Sequence, residues 1–256
     1  MTLAAHNTPH RRSTSPRLLL IDFVLTGGTL LTAIAMSTKW ILHLPVIYVL
    51  ATFALYTAMT VVVVVARPSV SRGIGIGPAN RITLGRATLT LPLAPIVLYP
   101  LALTPTGLWW IISLASAVMI LDGLDGWTAR RTETSTPFGA RFDMELDTIL
   151  MLILSLLVWR SAKVGSWVVM IGVMRYLFVG SAYVWPWLHT ELPPSIRRKT
   201  VCVVQDVVLL VCLGPIVPSS LAVLAATTGL STLVYSFGVD VRWLYTHSRT
   251  PSPRET

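Results

Sequence analysis

The chain has 256 residues, of which 54% are hydrophobic and only 12% are charged, and its mean hydropathy is +0.70. Soluble domains carry about twice that share of charged residues, so the composition excludes an ordinary soluble protein and indicates a polytopic membrane protein. The net charge of +9 does not indicate a nucleic-acid partner, because the basic residues are scattered among apolar stretches rather than gathered in a stripe. Membrane lipids with anionic head groups and phosphate-bearing substrates are the expected partners of this charge.

The hydropathy pattern predicts an all-α, polytopic bundle of transmembrane helices. A helix needs about 20 largely apolar residues to cross a bilayer, and residues typical of turns separate the apolar stretches of this chain. The eight predicted spans are residues 18–36, 41–65, 82–103, 108–128, 139–160, 164–185, 200–217 and 219–243.

The segments outside these spans are predicted to be polar or basic. Residues 1–17 are predicted to form a disordered basic tail without a cleavable signal peptide, and residues 246–256 a second disordered tail. Residues 67–81 are predicted to be a linker along the membrane surface. Cys202 and Cys212 fall within one span, where they cannot bridge each other and are predicted to be packing residues.

The distribution of the 20 lysines and arginines predicts an orientation for the bundle. With eight spans and the N-terminus inside, only Lys39, Arg160 and Lys163 fall on the outer side, while Arg175 lies within a span. This asymmetry follows the positive-inside rule. We therefore predict a bacterial inner (plasma) membrane protein whose acidic residues, described next, open to the cytoplasm.

Four aspartates lie close together in the sequence, within two of the apolar stretches. Asp122 and Asp125 are three residues apart and Asp143 and Asp147 are four apart, so each pair shares a helix face. Two helices that present such pairs to each other would form a site for a hard cation, and the absence of His or Cys nearby favours Mg²⁺ or Mn²⁺. The plainer interpretation of any single aspartate is a polar residue that reaches water at a helix end. Glu145 is predicted to lie outside the site and to pair with Arg141, four residues before it.

The pattern D-x2-D-G-x2-A-R-x8-G-x3-D-x3-D, which runs from Asp122 to Asp147, closely resembles the signature of the CDP-alcohol phosphotransferases. These are integral membrane enzymes that make phospholipid head groups. The resemblance covers about residues 78 to 245 and implies a six-helix catalytic core at 82–245, preceded by two additional helices within 18–66. It also implies a homodimer and a site that uses two Mg²⁺ or Mn²⁺ ions.

The resemblance assigns roles to the four aspartates. Carried over to this chain, Asp122, Asp125 and Asp143 are ligands of the metal ions that hold the pyrophosphate of a CDP-linked donor. Asp147 also lies by the metals and is the catalytic base that deprotonates the acceptor hydroxyl. The resulting oxygen attacks the phosphorus distal to cytidine, and CMP leaves.

A second motif, N-x-x-T-x-x-R, ends at Arg86 and resembles the opening of the first core helix in this family, which lies close to the nucleotide. Its polar residues are three apart in each step and could form one face toward the cytidine; the plainer interpretation is a helix cap with basic anchoring. Together the motifs predict a nucleotide and pyrophosphate site formed by Asn80, Thr83, Arg86, Gly126, Ala129, Arg130 and Gly139. The glycines allow close approach, and the arginine after the second aspartate can bind a phosphate with two hydrogen bonds.

Basic residues in and before the later spans could indicate whether the acceptor carries a phosphate. Arg175 lies in the middle of a predicted span, and Arg198 and Lys199 precede the next. Family members that use phosphorylated acceptors, such as glycerol 3-phosphate or inositol phosphate, carry basic residues in comparable places, so these three could bind the acceptor phosphate. The alternative is an intramembrane Arg175–Asp206 pair with ordinary basic flanking. The usual basic motif of the phosphatidylglycerophosphate synthases is not reproduced cleanly.

The leading hypothesis is a metal-dependent transfer of a phosphatidyl group from a CDP-alcohol donor, CDP-diacylglycerol, to a polar alcohol acceptor. One alternative within the family is a CDP-choline or CDP-ethanolamine donor with diacylglycerol as acceptor. Another is a divalent-cation transporter that uses the acidic cluster as its ion site, and a third is a scaffold that keeps the fold without catalysis.

Overall fold

A computed structural model describes residues 27–65, 78–132, 137–185, 187 and 195–247, and within these ranges every regular element is helical. The helices are α1 (Gly28–Leu42), α2 (Val46–Val65), α3 (Pro78–Thr90), α4 (Leu93–Ile96), α5 (Pro105–Thr132), α6 (Pro137–Arg160), α7 (Val169–Val184), α8 (Ile196–Leu213) and α9 (Ser219–His247). Short 3-10 helices at Pro100–Ala102 and Ser166–Val168 precede α5 and α7. The predicted tail at 1–17 lies outside the described residues, and so does the second tail beyond residue 247.

Four of the described helical segments are long and apolar enough to cross a membrane, namely Val46–Val63, Pro105–Leu124, Ser166–Tyr183 and Ser219–Thr246. The other predicted spans fall on described helices that are shorter or more charged, and residues 18–26 of the first predicted span lie outside the described part of the chain. α1 and α3 have 15 and 13 residues, while α6 and α8 carry several charged side chains each. The predicted all-α architecture is confirmed, and four of the eight predicted spans are supported by length and composition.

The prediction of one continuous span at residues 82–103 is wrong. α3 ends at Thr90, and the chain then forms the four-residue α4 and a 3-10 turn before α5 begins. Pro92, Pro95 and Pro100 account for these interruptions, because proline has no backbone N–H to donate and its ring clashes with the preceding turn. α3 is therefore a short helix, and its second half is buried against α5 and α6.

The predicted break at residues 37–40 is also wrong, because α1 continues to Leu42. The polar residues there have partners that a helix accommodates: Ser37 Oγ donates to Ala33 O (2.8 Å), and buried Thr38 accepts a hydrogen bond from Trp110 Nε1 (3.0 Å). The turn to α2 comes at His43, whose φ of 52° is left-handed.

Two further boundaries differ from the predictions. α3 begins at Pro78, so the predicted linker at 67–81 is shorter, and residues 66–77 lie outside the described part of the chain. α8 begins at Ile196 and ends at Leu213 rather than running from 200 to 217, because Gly214 and Pro215 end it. The basic residues before position 200 therefore belong to the first turn of α8.

The two N-terminal helices pack into the bundle at the point where the first core helix is interrupted. The hydroxyl of Tyr48, which is fully buried in α2, donates to the carbonyl oxygen of Pro92 (2.9 Å). Leu31 and Tyr56 form an apolar cluster with Leu84 and Leu91. α1 and α2 thus support α3 and the residues that follow it.

α6 and α7 lie unusually close to each other at Gly172. A Cβ atom at this position would come within 2.5 Å of both the Leu152 Cα and the Ser155 Oγ of α6. Small residues at helix contacts let two backbones approach in this way within membranes. The close packing fixes α7, including Arg175 one turn later, against the helix that carries Asp143 and Asp147.

Candidate active site

Three of the four predicted carboxylates lie together at one end of the bundle. Asp122 comes from α5, and Asp143 and Asp147 come from successive turns of α6; one oxygen from each lies within 4.8 Å of the other two. Their side chains are 37–39% exposed, so the cluster is open to a ligand. Asp125 also lies on α5, one turn after Asp122, but its side chain is outside the described part of the chain. The same holds for the side chains of Ala129 and Arg130 and for the surroundings of Gly126.

Arg86 of α3 is the cation at the centre of this cluster. Its guanidinium is 1% exposed; Nη1 lies 2.9 Å from Asp122 Oδ1 and donates to Asp143, and Nη2 donates to Asp147. A buried charge is tolerated only when it is paired and hydrogen-bonded, and these carboxylates provide the pairing. Sequence analysis predicted that Arg86 would bind the nucleotide. The structure places it under the carboxylates, and the side chains of Asn80 and Thr83 are not described.

The donor set of this cluster fits a hard divalent cation. All three groups are carboxylates, and no His or Cys belongs to the set among the residues that the structure describes. Oxygen-only sites favour Mg²⁺, Ca²⁺ or Mn²⁺ over zinc. Three carboxylates with one guanidinium leave two negative charges uncompensated within this group of four side chains, and one divalent ion would balance them.

The predicted Glu145–Arg141 pair is wrong. Glu145 Oε1 instead lies 2.8 Å from Nη2 of Arg175, so the pair joins α6 to α7. Residue spacing predicts only partners on the same helix. The close contact of α6 with α7 brings Arg175 within ion-pair distance of Glu145. The alternative pairing of Arg175 with Asp206 is not found among the ion pairs of the described residues, where Arg175 pairs with Glu145.

The basic residues at the start of α8 are held by α9. Arg197 Nη1 donates to the carbonyl oxygen (2.6 Å) and the hydroxyl (2.8 Å) of Ser236, and Nη2 is paired with Asp240. Nη1 of Arg198 lies 3.7 Å from the same carboxylate, and Lys199 is exposed. Sequence analysis did not identify Asp240; its only sequence signal is a lone acid near the end of an apolar helix.

The helices that carry the predicted acceptor residues, α7 and α8, both pack against α6, which carries Asp143 and Asp147. The charges of Arg175 and Arg198 both act on the Cys202 thiol of α8, and so does the charge of Asp147. Among the described side chains, acids are therefore in excess around Arg86 and bases are in excess around Asp240.

The CDP-alcohol phosphatidyltransferase family model matches residues 76–235, which is more than half of the chain. This chain belongs to the CDP-alcohol phosphatidyltransferase family. The resemblance predicted from the aspartate pattern is confirmed. Searches of curated proteins and of solved structures found no match to the chain.

Membership of the CDP-alcohol phosphatidyltransferase family supports the transfer of a phosphatidyl group from a CDP-alcohol to an alcohol. Together with the four apolar helices it also supports a membrane location. The matched region begins just before α3 and ends within α9, so it contains every side chain of the acidic cluster, including Arg86. α1 and α2 precede it.

One more acid of this phosphatidyltransferase lies on a helix, α8, that packs against both α5 and α6. Asp206 of α8 is buried, and the charges of Asp147, Asp122 and Arg86 all act on its carboxyl group. Sequence analysis considered Asp206 only as a partner of Arg175. An acid in the middle of an apolar helix is itself a signal of function, but its direction toward the aspartates depends on how the helices pack.

Proposed function

We propose that this protein is a metal-dependent phosphatidyltransferase that uses CDP-diacylglycerol as donor and a polar alcohol as acceptor and releases CMP. The observation that carries the proposal is the cluster of Asp122, Asp143 and Asp147 around buried Arg86, inside a family match. Its two uncompensated negative charges are suited to Mg²⁺ or Mn²⁺.

Asp122, Asp125, Asp143 and Asp147 would hold two divalent ions. When bound, such ions supply positive charge that neutralises a pyrophosphate and stabilises the departing phosphate of CMP. Arg86 orients the cluster, because its two Nη atoms contact carboxylates of α5 and α6 together. For the nucleotide and pyrophosphate we retain Asn80, Thr83, Gly126, Ala129, Arg130 and Gly139, together with Arg86.

Asp147 is the base in this proposal. It takes the proton from the acceptor hydroxyl, and the acceptor oxygen forms a bond to the phosphorus that carries diacylglycerol. The bond from that phosphorus to the bridging oxygen breaks, and CMP leaves with both electrons of that bond. Asp147 is suited to this step because its helix, α6, packs against α8, which carries Arg198 and Lys199.

The acceptor in this proposal carries a phosphate, as glycerol 3-phosphate and inositol phosphate do. Arg175, Arg198 and Lys199 would bind that phosphate. Arg175 and Arg198 already contact Glu145 and Asp240, so an incoming phosphate shares or replaces those partners. The site faces the cytoplasm of a bacterial inner membrane, and the protein is a homodimer.

The test is CMP release by the purified full chain in mixed micelles that contain CDP-diacylglycerol. The assay is run with and without Mg²⁺ or Mn²⁺ across a panel of acceptors, and product lipids are identified by mass. We expect metal-dependent CMP release with a phosphorylated alcohol. Metal-independent turnover would contradict the mechanism. Turnover only with CDP-choline or CDP-ethanolamine plus diacylglycerol would show that the donor is the CDP-linked head group and that the lipid is the acceptor. Metal flux in proteoliposomes without CMP release would instead support a transporter.

A further inference from the structure

Asp206 carries an unsatisfied carboxylate oxygen in the interior of the bundle. The residue is 8% exposed, and its Oδ1 has no hydrogen-bond partner in the part of the chain that the structure describes. Its neighbour Gln205 turns to the other side, where its amide nitrogen donates to Gly229 O (2.8 Å) and Thr232 Oγ1 (3.1 Å) of α9. Adjacent polar residues of α8 thus differ: Gln205 joins two helices by hydrogen bonds, whereas Asp206 keeps a buried oxygen without a donor among the described residues.

Asp206 lies on α8, which packs against both α5 and α6, the helices that carry the three aspartates. Asp147, Asp122 and Arg86 are near enough for their charges to act on it, yet Asp206 is not among the three carboxylates that lie within 4.8 Å of one another. Lys199 precedes it by seven residues, about two helical turns on nearly the same face of α8. Asp206 therefore lies on the acceptor side of the acidic cluster.

The chemistry of this position selects the group that can bind there. A buried carboxylate oxygen without a donor costs free energy, so a ligand that donates a hydrogen bond is favoured. An anionic ligand group is disfavoured, because two other aspartates are close. A neutral hydroxyl satisfies both conditions and adds no charge.

We propose that Asp206 binds a second hydroxyl of the acceptor, beside the one that reacts, and so selects polyols over simple alcohols. The inference rests on the proposed function, which identifies the ligand as the acceptor alcohol. In this arrangement the reacting hydroxyl meets Asp147, the second hydroxyl donates to Asp206, and the phosphate lies toward the start of α8. Asp206 is thus a specificity-determining residue, and it takes no part in bond breaking.

A binding experiment tests this without relying on turnover. The purified full chain is titrated calorimetrically in Mg²⁺, without donor, with glycerol 3-phosphate, with inositol 1-phosphate and with 3-hydroxypropyl phosphate, which lacks the second hydroxyl. We expect at least one polyol phosphate to bind about tenfold more tightly than 3-hydroxypropyl phosphate, as one hydrogen bond to a buried carboxyl group provides. Asp206→Ala should reduce this preference to less than about threefold while leaving the affinity for 3-hydroxypropyl phosphate unchanged.

Thermal stability gives a second measurement that does not depend on the ligand chosen. Asp206→Asn and Asp206→Leu should raise the unfolding midpoint of the ligand-free protein, because they remove an acid whose ionised form is costly in a buried position. The matched control is Gln205→Leu, which removes two observed hydrogen bonds on the adjacent residue. It should lower the midpoint and leave the preference for the polyol unchanged.

The outcomes separate this inference from the proposed function. A wild-type protein that binds the three phosphates equally overturns the role of Asp206, and so does an Asp206→Ala variant that keeps the full preference. A lower midpoint in both Asp206→Asn and Asp206→Leu would show a structural role instead. Polyol preference that depends on Asp206, in a protein that releases no CMP, would support the subsite and contradict the transfer reaction.

Discussion

Two ionic clusters at the same end of the bundle differ in the sign of their excess charge. Around Arg86, three carboxylates that are more than a third exposed face one buried guanidinium. Around Asp240, a buried carboxylate faces Arg197 and Arg198, and Arg197 has further partners in Ser236. The first cluster has negative charge to spare for a cation, whereas the second has positive charge to spare for an anion. This difference connects metal binding with α5 and α6, and acceptor phosphate binding with α8.

The largest expected effect follows from removing the base of the acidic cluster. Asp147→Asn should lower kcat for CMP release by about a thousandfold, within the range that loss of a general base produces. The measurement is the CMP-release rate at saturating donor and acceptor. Ser113→Ala, on α5 and outside the cluster, is the control that should keep normal activity. A full rate in Asp147→Asn would remove Asp147 from the mechanism.

The next largest effect concerns stability. Arg86→Gln should lower the free energy of unfolding of the metal-free protein by about 3 kcal/mol or more, because three carboxylates lose their common partner. Arg86→Lys keeps the positive charge but loses the paired Nη donors of the guanidinium. Its free energy of unfolding should lie between those of wild type and Arg86→Gln. Thermal unfolding with and without Mn²⁺ measures this. Added Mn²⁺ should raise the midpoint of Arg86→Gln more than that of wild type, since a divalent ion can replace the missing charge.

The second cluster should respond differently to the matching change. Arg197→Gln removes the pair with Asp240 and weakens the contact with Ser236, at a cost of about 2 kcal/mol. Because this cluster has no acidic excess, added Mn²⁺ should not restore the midpoint. If Mn²⁺ raised the unfolding midpoints of Arg86→Gln and Arg197→Gln equally, the proposed difference between the clusters would be contradicted.

The smallest effect is expected at the contact between α6 and α7. Glu145→Gln removes the negative partner of Arg175 and leaves its guanidinium available to a phosphate. Since a partly exposed ion pair contributes about 1 kcal/mol or less, the KM for a phosphorylated acceptor should fall by about threefold at most, with kcat unchanged. Steady-state kinetics with varied acceptor checks this. A raised KM would indicate that Glu145 positions Arg175 for the acceptor.

The sequence was sufficient for the helical architecture and for the identity of the aspartates. Hydropathy and the spacing of Asp122, Asp143 and Asp147 depend on local periodicity, which a sequence shows directly. The same reasoning failed at 82–103, where the apolar content of the segment outweighed the three prolines in the prediction. It also extended the first span only to residue 36, because polar Ser37 and Thr38 resemble a turn when their partners are unknown.

The remaining contacts depend on how helices pack, which no spacing rule contains. Glu145 pairs with Arg175 because Gly172 lets α7 approach α6. Arg86 reaches the aspartates from a helix more than thirty residues earlier, and Asp206 lies on a helix that packs against both helices of the aspartates. Each of the charged residues could be recognised in the sequence, because a charge in an apolar segment needs a partner. The partner of each charge could not be identified before the packing of the helices was known.

The central claim is that the carboxylates around Arg86 form a divalent-cation site that serves phosphatidyl transfer. The most direct measurement is a Mn²⁺ titration of the purified full chain, followed by electron paramagnetic resonance, with CDP-diacylglycerol micelles and without them. The account predicts saturable Mn²⁺ binding that tightens with the donor, is lost in Asp143→Asn and is retained in Asp240→Asn. Binding that is absent from wild type, or unchanged in Asp143→Asn, would contradict it.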